Sequence, residues 1–138
     1  MTIAGYSKTP LAKKLGIKAG MQILLYDPPG HYFDLFEDFP DRVERLLQIE
    51  LENADFIHLF CTGLEELQQV LEKYSKALRK HGALWISWPK GSSQLPTDLN
   101  RDLIRETVLK TGLVDIKVAA IDKDWSGLKF VHRLKNRV

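Results

Sequence analysis

Met21-Gln22-Ile23-Leu24-Leu25-Tyr26-Asp27-Pro28-Pro29-Gly30 passes within ten residues from a nearly all-apolar run to two prolines and a glycine. A short continuous apolar run bounded by such a stop suits a strand covered on both faces, as in a parallel sheet. Neither proline can donate to a sheet ladder, so the strand ends by Asp27. Phe56-Ile57-His58-Leu59-Phe60 and Ala83-Leu84-Trp85-Ile86-Ser87 repeat the pattern. Between them Leu64, Leu67, Leu71, Tyr74 and Leu78 mark one helical face, with Thr62 and Glu65 at capping-box spacing before it and Gly82 as its stop. Strand, helix, strand in that order calls for parallel crossovers.

Outward from this centre the pattern continues. Thr9, Pro10 and Gly16 suit the cap, first turn and end of a short leading helix. Tyr32, Leu35, Phe36 and Phe39 form a helical stripe ended by Pro40, and residues 42–48 read as a weak strand through Val43, Leu46 and Leu47. After a polar loop over 88–96, a helix over 98–111 carries Ile104 and Val108 and stops at Gly112. Val114, Ile116, Val118 and Ala120 alternate with Asp115 and Lys117 as in a half-exposed strand. A turn over 124–127 then returns the chain through 128–134 as an antiparallel hairpin.

A chain of 138 residues, 44% hydrophobic and 28% charged, is sized and composed for one globular domain, and no repeat or linker divides residues 1–138. The net charge of +2 supplies no broad field for nucleic acid. The single cysteine, Cys61, rules out an intrachain disulfide and a cysteine-based zinc site, and no histidines and carboxylates stand at metal-binding spacing. No apolar run approaches the ~20 residues of a membrane span. Met1 to Tyr6 lacks the pattern of a secretory leader, so the expected compartment is the cytoplasm.

Several segments resemble landmarks of the class I S-adenosylmethionine-dependent methyltransferases. The stretch 21–30 (MQILLYDPPG) stands where that superfamily has its first strand and glycine-rich loop; 80–87 (KHGALWIS) is similar to its turn before a central strand; 112–118 (GLVDIKV) resembles the opening of its C-terminal hairpin. The closer resemblance is to an uncharacterised family of small bacterial proteins, a domain of unknown function. It is carried by 9–20 (TPLAKKLGIKAG), 56–63 (FIHLFCTG), 83–99 (ALWISWPKGSSQLPTDL) and 112–131 (GLVDIKVAAIDKDWSGLKFV). The resemblance implies a Rossmann-like α/β fold with helices on both faces of a mostly parallel sheet, in the order 2-1-3-4-6-5, the last strand inserted antiparallel.

It also implies a site, because ligands of open α/β sheets gather beyond the carboxyl ends of strands where the order reverses. That crevice lies between 27–31 and 60–63, with 88–93 and 122–125 at the same edge. Asp27, Gly30, His31, Thr62, Trp88, Lys90 and Ser92 are the candidate ligand-binding residues. Trp88 and Trp125 offer aromatic faces, though Trp125 is expected to be packed; Lys90 with Ser92 and Ser93 can hold an anion. His31 can exchange a proton near neutrality. His58, inside a strand, and Cys61, with no histidine partner, read as core residues. No catalytic residue can be assigned.

A methyltransferase follows the acid with spaced glycines so that backbone can approach the cofactor. Here Asp27 and Gly30 frame two prolines, where flexibility and N–H donors are wanted. An acid ending the second strand would hold ribose hydroxyls; Glu50 and Glu52 are near that position in a charge-rich surface. S-adenosylmethionine is therefore a possible but not the favoured ligand. The leading expectation is a noncatalytic or regulatory module binding a small molecule on a degenerate methyltransferase-like scaffold. An active methyltransferase with an atypical loop is the second. A homo-oligomeric interaction protein, a homodimer that uses Tyr32, Phe33, Phe36 and Phe39, is the third. Nucleic acid and membrane are not expected partners.

Overall fold

The structure, a computed structural model, describes residues 9–137; the leader reading of Met1 to Tyr6 lies outside them. Three strands run parallel at the centre: β1 (Gln22–Tyr26), β3 (Ala54–Phe60) and β4 (Leu78–Pro89). A two-residue strand, β2 (Glu44–Arg45), joins β1 in parallel at one edge. At the other, β6 (Trp125–His132) inserts antiparallel between β4 and β5 (Leu113–Ala120). The order is β2-β1-β3-β4-β6-β5, as expected. Alternation of side chains across the strands builds a core on each face. On one, Leu24, Ile57, Leu59, Leu84, Ile86 and Phe130 pack under α2 (Leu64–Tyr74) and α3 (Arg101–Leu109). On the other, Ile23, Leu25, Phe56, Phe60 and Trp85 are covered by α1 (Leu11–Leu15) and by Tyr32 and Phe36.

Local departures from the expected elements have physical causes. The stripe from Tyr32 to Phe39 makes one 3-10 turn, Tyr32–Leu35, and Phe36 is already extended. Tyr32 is fixed in the core through its hydroxyl, 3.0 Å from His58 Nδ1, while Phe33, Phe36 and Phe39 meet edge to face along the chain. Only two residues of 42–48 pair as strand. The central helix ends at Tyr74 rather than near Gly82; Leu78 opens β4 opposite Ala54, and Gly82 lies inside that strand. Its N-terminus is not closed by a Thr62–Glu65 box. Asp98 Oδ1 accepts from Leu64 N at 2.9 Å and Glu66 Oε1 accepts from Thr62 N at 3.0 Å, so a remote loop supplies the cap. The helix expected over 98–111 runs Arg101–Leu109, with the Asn100 side chain accepting from Leu103 N. Residues 125–127, expected in the turn, already belong to β6. No helix among the described residues is long and apolar enough to cross a membrane.

Candidate functional site

Parallel β1, β3 and β4 all point their carboxyl ends to one rim. Because β6 runs the other way, the turn before it lies on that rim too. Asp27, Gly30, His31, Thr62, Lys90 and Ser92 are therefore on one edge of the sheet. All but Lys90, which is half-buried, are exposed. Asp27 adopts φ 47°, a left-handed conformation that acidic and amide side chains tolerate better than most, and it turns the chain sharply at the end of β1.

The turn sends the loop across the sheet edge. His31 Nε2 lies 3.0 Å from Asp122 Oδ2, in the turn before β6. The other carboxylate oxygen, Oδ1, accepts from the backbone of Asp124 at 2.8 Å and of Trp125 at 2.9 Å. Burial pushes the Asp122 carboxyl up, but the bonds from His31 and the two backbone N–H groups outweigh it and hold the group below its ordinary range. The result is an ionised carboxylate orienting an exposed imidazole whose Nδ1 has no protein partner among the described residues. Lys90 N donates to Asp124 O at 2.7 Å and Ser93 Oγ to Asp124 Oδ1 at 3.0 Å, so the loop after β4 is fastened to the same turn. Ser93, not Ser92, makes that bond; Ser92 stays exposed beside it.

Own side chains close the flanks of the crevice between β1 and β3. On the α2 side Tyr26 donates to Glu66 Oε2 at 2.8 Å while Glu66 also holds Thr62 N, and the bond to Glu66 raises the Tyr26 phenol. The Thr62 carbonyl accepts from Thr97 Oγ1 at 2.6 Å. On the other side Tyr32 and Trp125 both pack edge-on against Phe60. Trp125 is thus packed, as expected. Trp88 is a correction: the residue is only 8% exposed, within the core under α2 and α3, because the pleat turns position 88 to the same face as Leu84 and Ile86. It presents little surface for stacking. His58 and Cys61 are buried, and burial pushes the Cys61 thiol up to about 12, the state of an inert structural cysteine.

The loop after β1 departs from the glycine-rich loop that the resemblance to methyltransferases calls for. Pro28 and Pro29 contribute no N–H, a single 3-10 turn replaces the helix that would follow a glycine loop, and a Cβ on Gly30 would meet nothing within 4 Å. Glu52 belongs to the opposite rim, two residues before β3, where its N–H bonds Lys76 O. Glu50 stays exposed beside β2. Among the described residues no group of three His, Cys, Asp or Glu side chains is placed to hold a metal ion. Asp122, Glu66 and Asp98 were not singled out from sequence; each meets a partner at least 34 residues away, except that Glu66 also reaches Thr62 locally.

No protein-family model matches the chain and no curated protein matches its sequence, so the resemblance to an uncharacterised bacterial family gains no support from either. Solved structures do match. A SAM-dependent methyltransferase from Aquifex aeolicus aligns with a TM-score of 0.59 at 15% identity, over 87% of this chain and 86% of its own. A TehB-like SAM-dependent methyltransferase from Corynebacterium glutamicum gives 0.58 at 16%, over 94% and 91%. Aeropyrum pernix fibrillarin with natively bound S-adenosyl-L-methionine gives 0.59 at 16%, over 87% and 72%. Likeness at these identities shows the fold: this chain has a methyltransferase-like, Rossmann-like architecture.

Proposed function

We propose that this protein is a noncatalytic or regulatory module that binds a small molecule at the rim formed by Asp27, Gly30, His31, Lys90 and Ser92, on a methyltransferase-like scaffold whose cofactor loop has degenerated. One observation carries the reading. The segment between β1 and β2, where a nucleotide-type cofactor meets backbone N–H groups at a helix N-terminus, contains two prolines and one 3-10 turn. Its His31 is engaged across the rim with Asp122. An imidazole oriented by an ionised carboxylate, beside Lys90 and Ser92, suits recognition of a polar, anionic small molecule.

A second reading, an active methyltransferase with an atypical loop, draws support from the same His31–Asp122 pair, because an oriented imidazole with a free nitrogen can also take up a proton. Calorimetric titration with S-adenosylmethionine and S-adenosylhomocysteine separates the two. The expected result is no saturable heat in the micromolar range. Micromolar binding would overturn the first reading, and affinity unchanged in both Asp27→Ala and Gly30→Val would remove the second. The compartment we propose is the cytoplasm. Of the aromatic cluster offered for self-association, Tyr32 and Phe36 are spent in the core and Phe33 alone stays markedly exposed, which favours the ligand-binding reading over the oligomeric one.

A further inference from the structure

Three lysines with no carboxylate partner among the described residues, Lys14, Lys117 and Lys129, gather where α1 meets β5 and β6. Lys117 and Lys129 are direct cross-strand partners, an arrangement in which like charges repel. Lys117 Nζ donates to Lys14 O at 3.0 Å and Lys14 Nζ donates to Ala120 O at 3.1 Å. Lys129 Nζ lies against Gly16 at the end of α1, 3.3 Å from where a Cβ would stand. Lys14 and Lys129 are half-buried, and neither they nor Lys117 forms an ion pair among the described residues.

Desolvation lowers the Lys14 ammonium, and the neighbouring charges acting on it, Lys117 and Lys90, lower it further. Desolvation also lowers the Lys129 ammonium, aided by Lys117 and Lys18. No acid offsets either. Lys90, on the carboxyl rim, and Lys18, just ahead of β1, add their charge to that felt by this cluster.

Capping of α1 accounts for Lys117 alone, which satisfies a carbonyl of its last turn. The Lys129 ammonium makes no hydrogen bond among the described residues, loses hydration and faces like charge, so its charge is held at a cost in the unliganded protein. A cluster of ammonium groups without carboxylate partners is matched by an anion carrying several charges, whereas a single carboxylate or a sulfonium cofactor leaves most of it unmatched. We propose that this face binds an oligophosphate chain. The inference is independent of the rim site, sharing with it only Lys90.

The test is calorimetric titration of the whole protein with sodium tripolyphosphate, and separately with magnesium-free ATP, at low salt. Saturable binding is expected, weakened about tenfold in Lys129→Gln and in Lys117→Gln and unchanged in Lys110→Gln, a lysine at the far end of α3. The midpoint of thermal unfolding of unliganded Lys129→Gln should rise at the same time, which a merely structural lysine would not produce. Tighter binding of ATP than of tripolyphosphate makes the source a nucleotide; the reverse order makes it a free oligophosphate. The proposal is overturned if the wild type gives no saturable heat with either probe, or if Lys129→Gln and Lys117→Gln both bind as the wild type does.

Discussion

Gly82→Ala is expected to lower the thermal midpoint by roughly 10 °C, the equivalent of about 3 kcal/mol for a domain of this size. A Cβ at this position would sit 2.8 Å from the Asp55 carbonyl oxygen and 2.8 Å from Leu78 Cδ1, with the Arg79 carbonyl oxygen at 3.2 Å. Two of the three obstacles are main-chain atoms inside the sheet and cannot rotate away. The crowding follows from the pairing of β4: Ala54 faces Leu78 and Phe56 faces Ala83, so 79–82 bulge out around Asp55. Relief would require the bulge to open, and the bulge also carries Arg79, whose guanidinium reaches Asp55 Oδ1 and the carbonyls of Glu52 and Asn53. Gly91→Ala supplies the control, since nothing lies within 4 Å of its Cβ position and its φ is not positive. Chemical or thermal unfolding should leave Gly91→Ala within about 0.5 kcal/mol of the wild type. Equal stability of the two variants would mean that β4 does not bulge here.

Gly82 also shows where the sequence is legible and where it is not. Three apolar runs separated by helical periodicity define a parallel sheet, because a run buried on both faces needs crossovers that cover both. The hairpin's place beside β4 came from resemblance, and the order β2-β1-β3-β4-β6-β5 bears it out. Gly82 read as a helix stop because Leu78 continues the spacing of Leu67 and Leu71. Strand pairing with Ala54 overrides that spacing, and nothing local to 74–82 announces a partner in β3. The cap of α2 is similar: Thr62 and Glu65 have the right separation, but Asp98 wins because the loop after β4 folds back onto the rim.

At the site, topology was legible and pairing was not. Knowing that strands end together at one rim places Asp27, His31, Thr62, Lys90 and Ser92 there without any side-chain information. That His31 reaches Asp122, across the ends of β3 and β4, depends on the turn at Asp27 and on Tyr32 entering the core beside it. Trp88 was misjudged for a simpler reason. A residue one step before the end of a long strand is inside or outside according to the pleat, and the pleat depends on a register the bulge at 79–82 resets.

Lowering the pH from about 7 to about 4 is expected to remove about 3 kcal/mol of stability through His58 alone. The ring is fully buried, stacked on Phe60 with centroids 4.3 Å apart, and burial holds its pKa down to about 3 against 6.5 for the free side chain. The folded pKa lies below the unfolded one, so the unfolded chain takes up the proton first. Stability is complete above 6.5, falls as pH drops through that value, and levels off only near 3. In its neutral form the imidazole has one donor and one acceptor nitrogen, and both are used: Nδ1 is 3.0 Å from the Tyr32 hydroxyl and Nε2 is 2.7 Å from Ser87 Oγ. No described carboxylate stands in either bond, so protonation gains nothing to offset its desolvation.

Other groups titrate over the same interval, and His58→Phe isolates the contribution. At neutral pH the variant should be less stable by about 2 kcal/mol, because the Tyr32 and Ser87 hydroxyls lose a buried partner. Its stability should then decline less steeply with acid, so that the two curves, measured by urea unfolding at steps of pH, cross at about pH 5. Parallel curves would show that folded His58 accepts a proton as readily as a free one. That in turn would require water beside a ring with 0% of its surface exposed, between strands β3 and β4 and under Tyr32. The same enclosure that makes His58 sensitive to acid keeps it out of the rim chemistry, leaving His31 as the imidazole that meets solvent there.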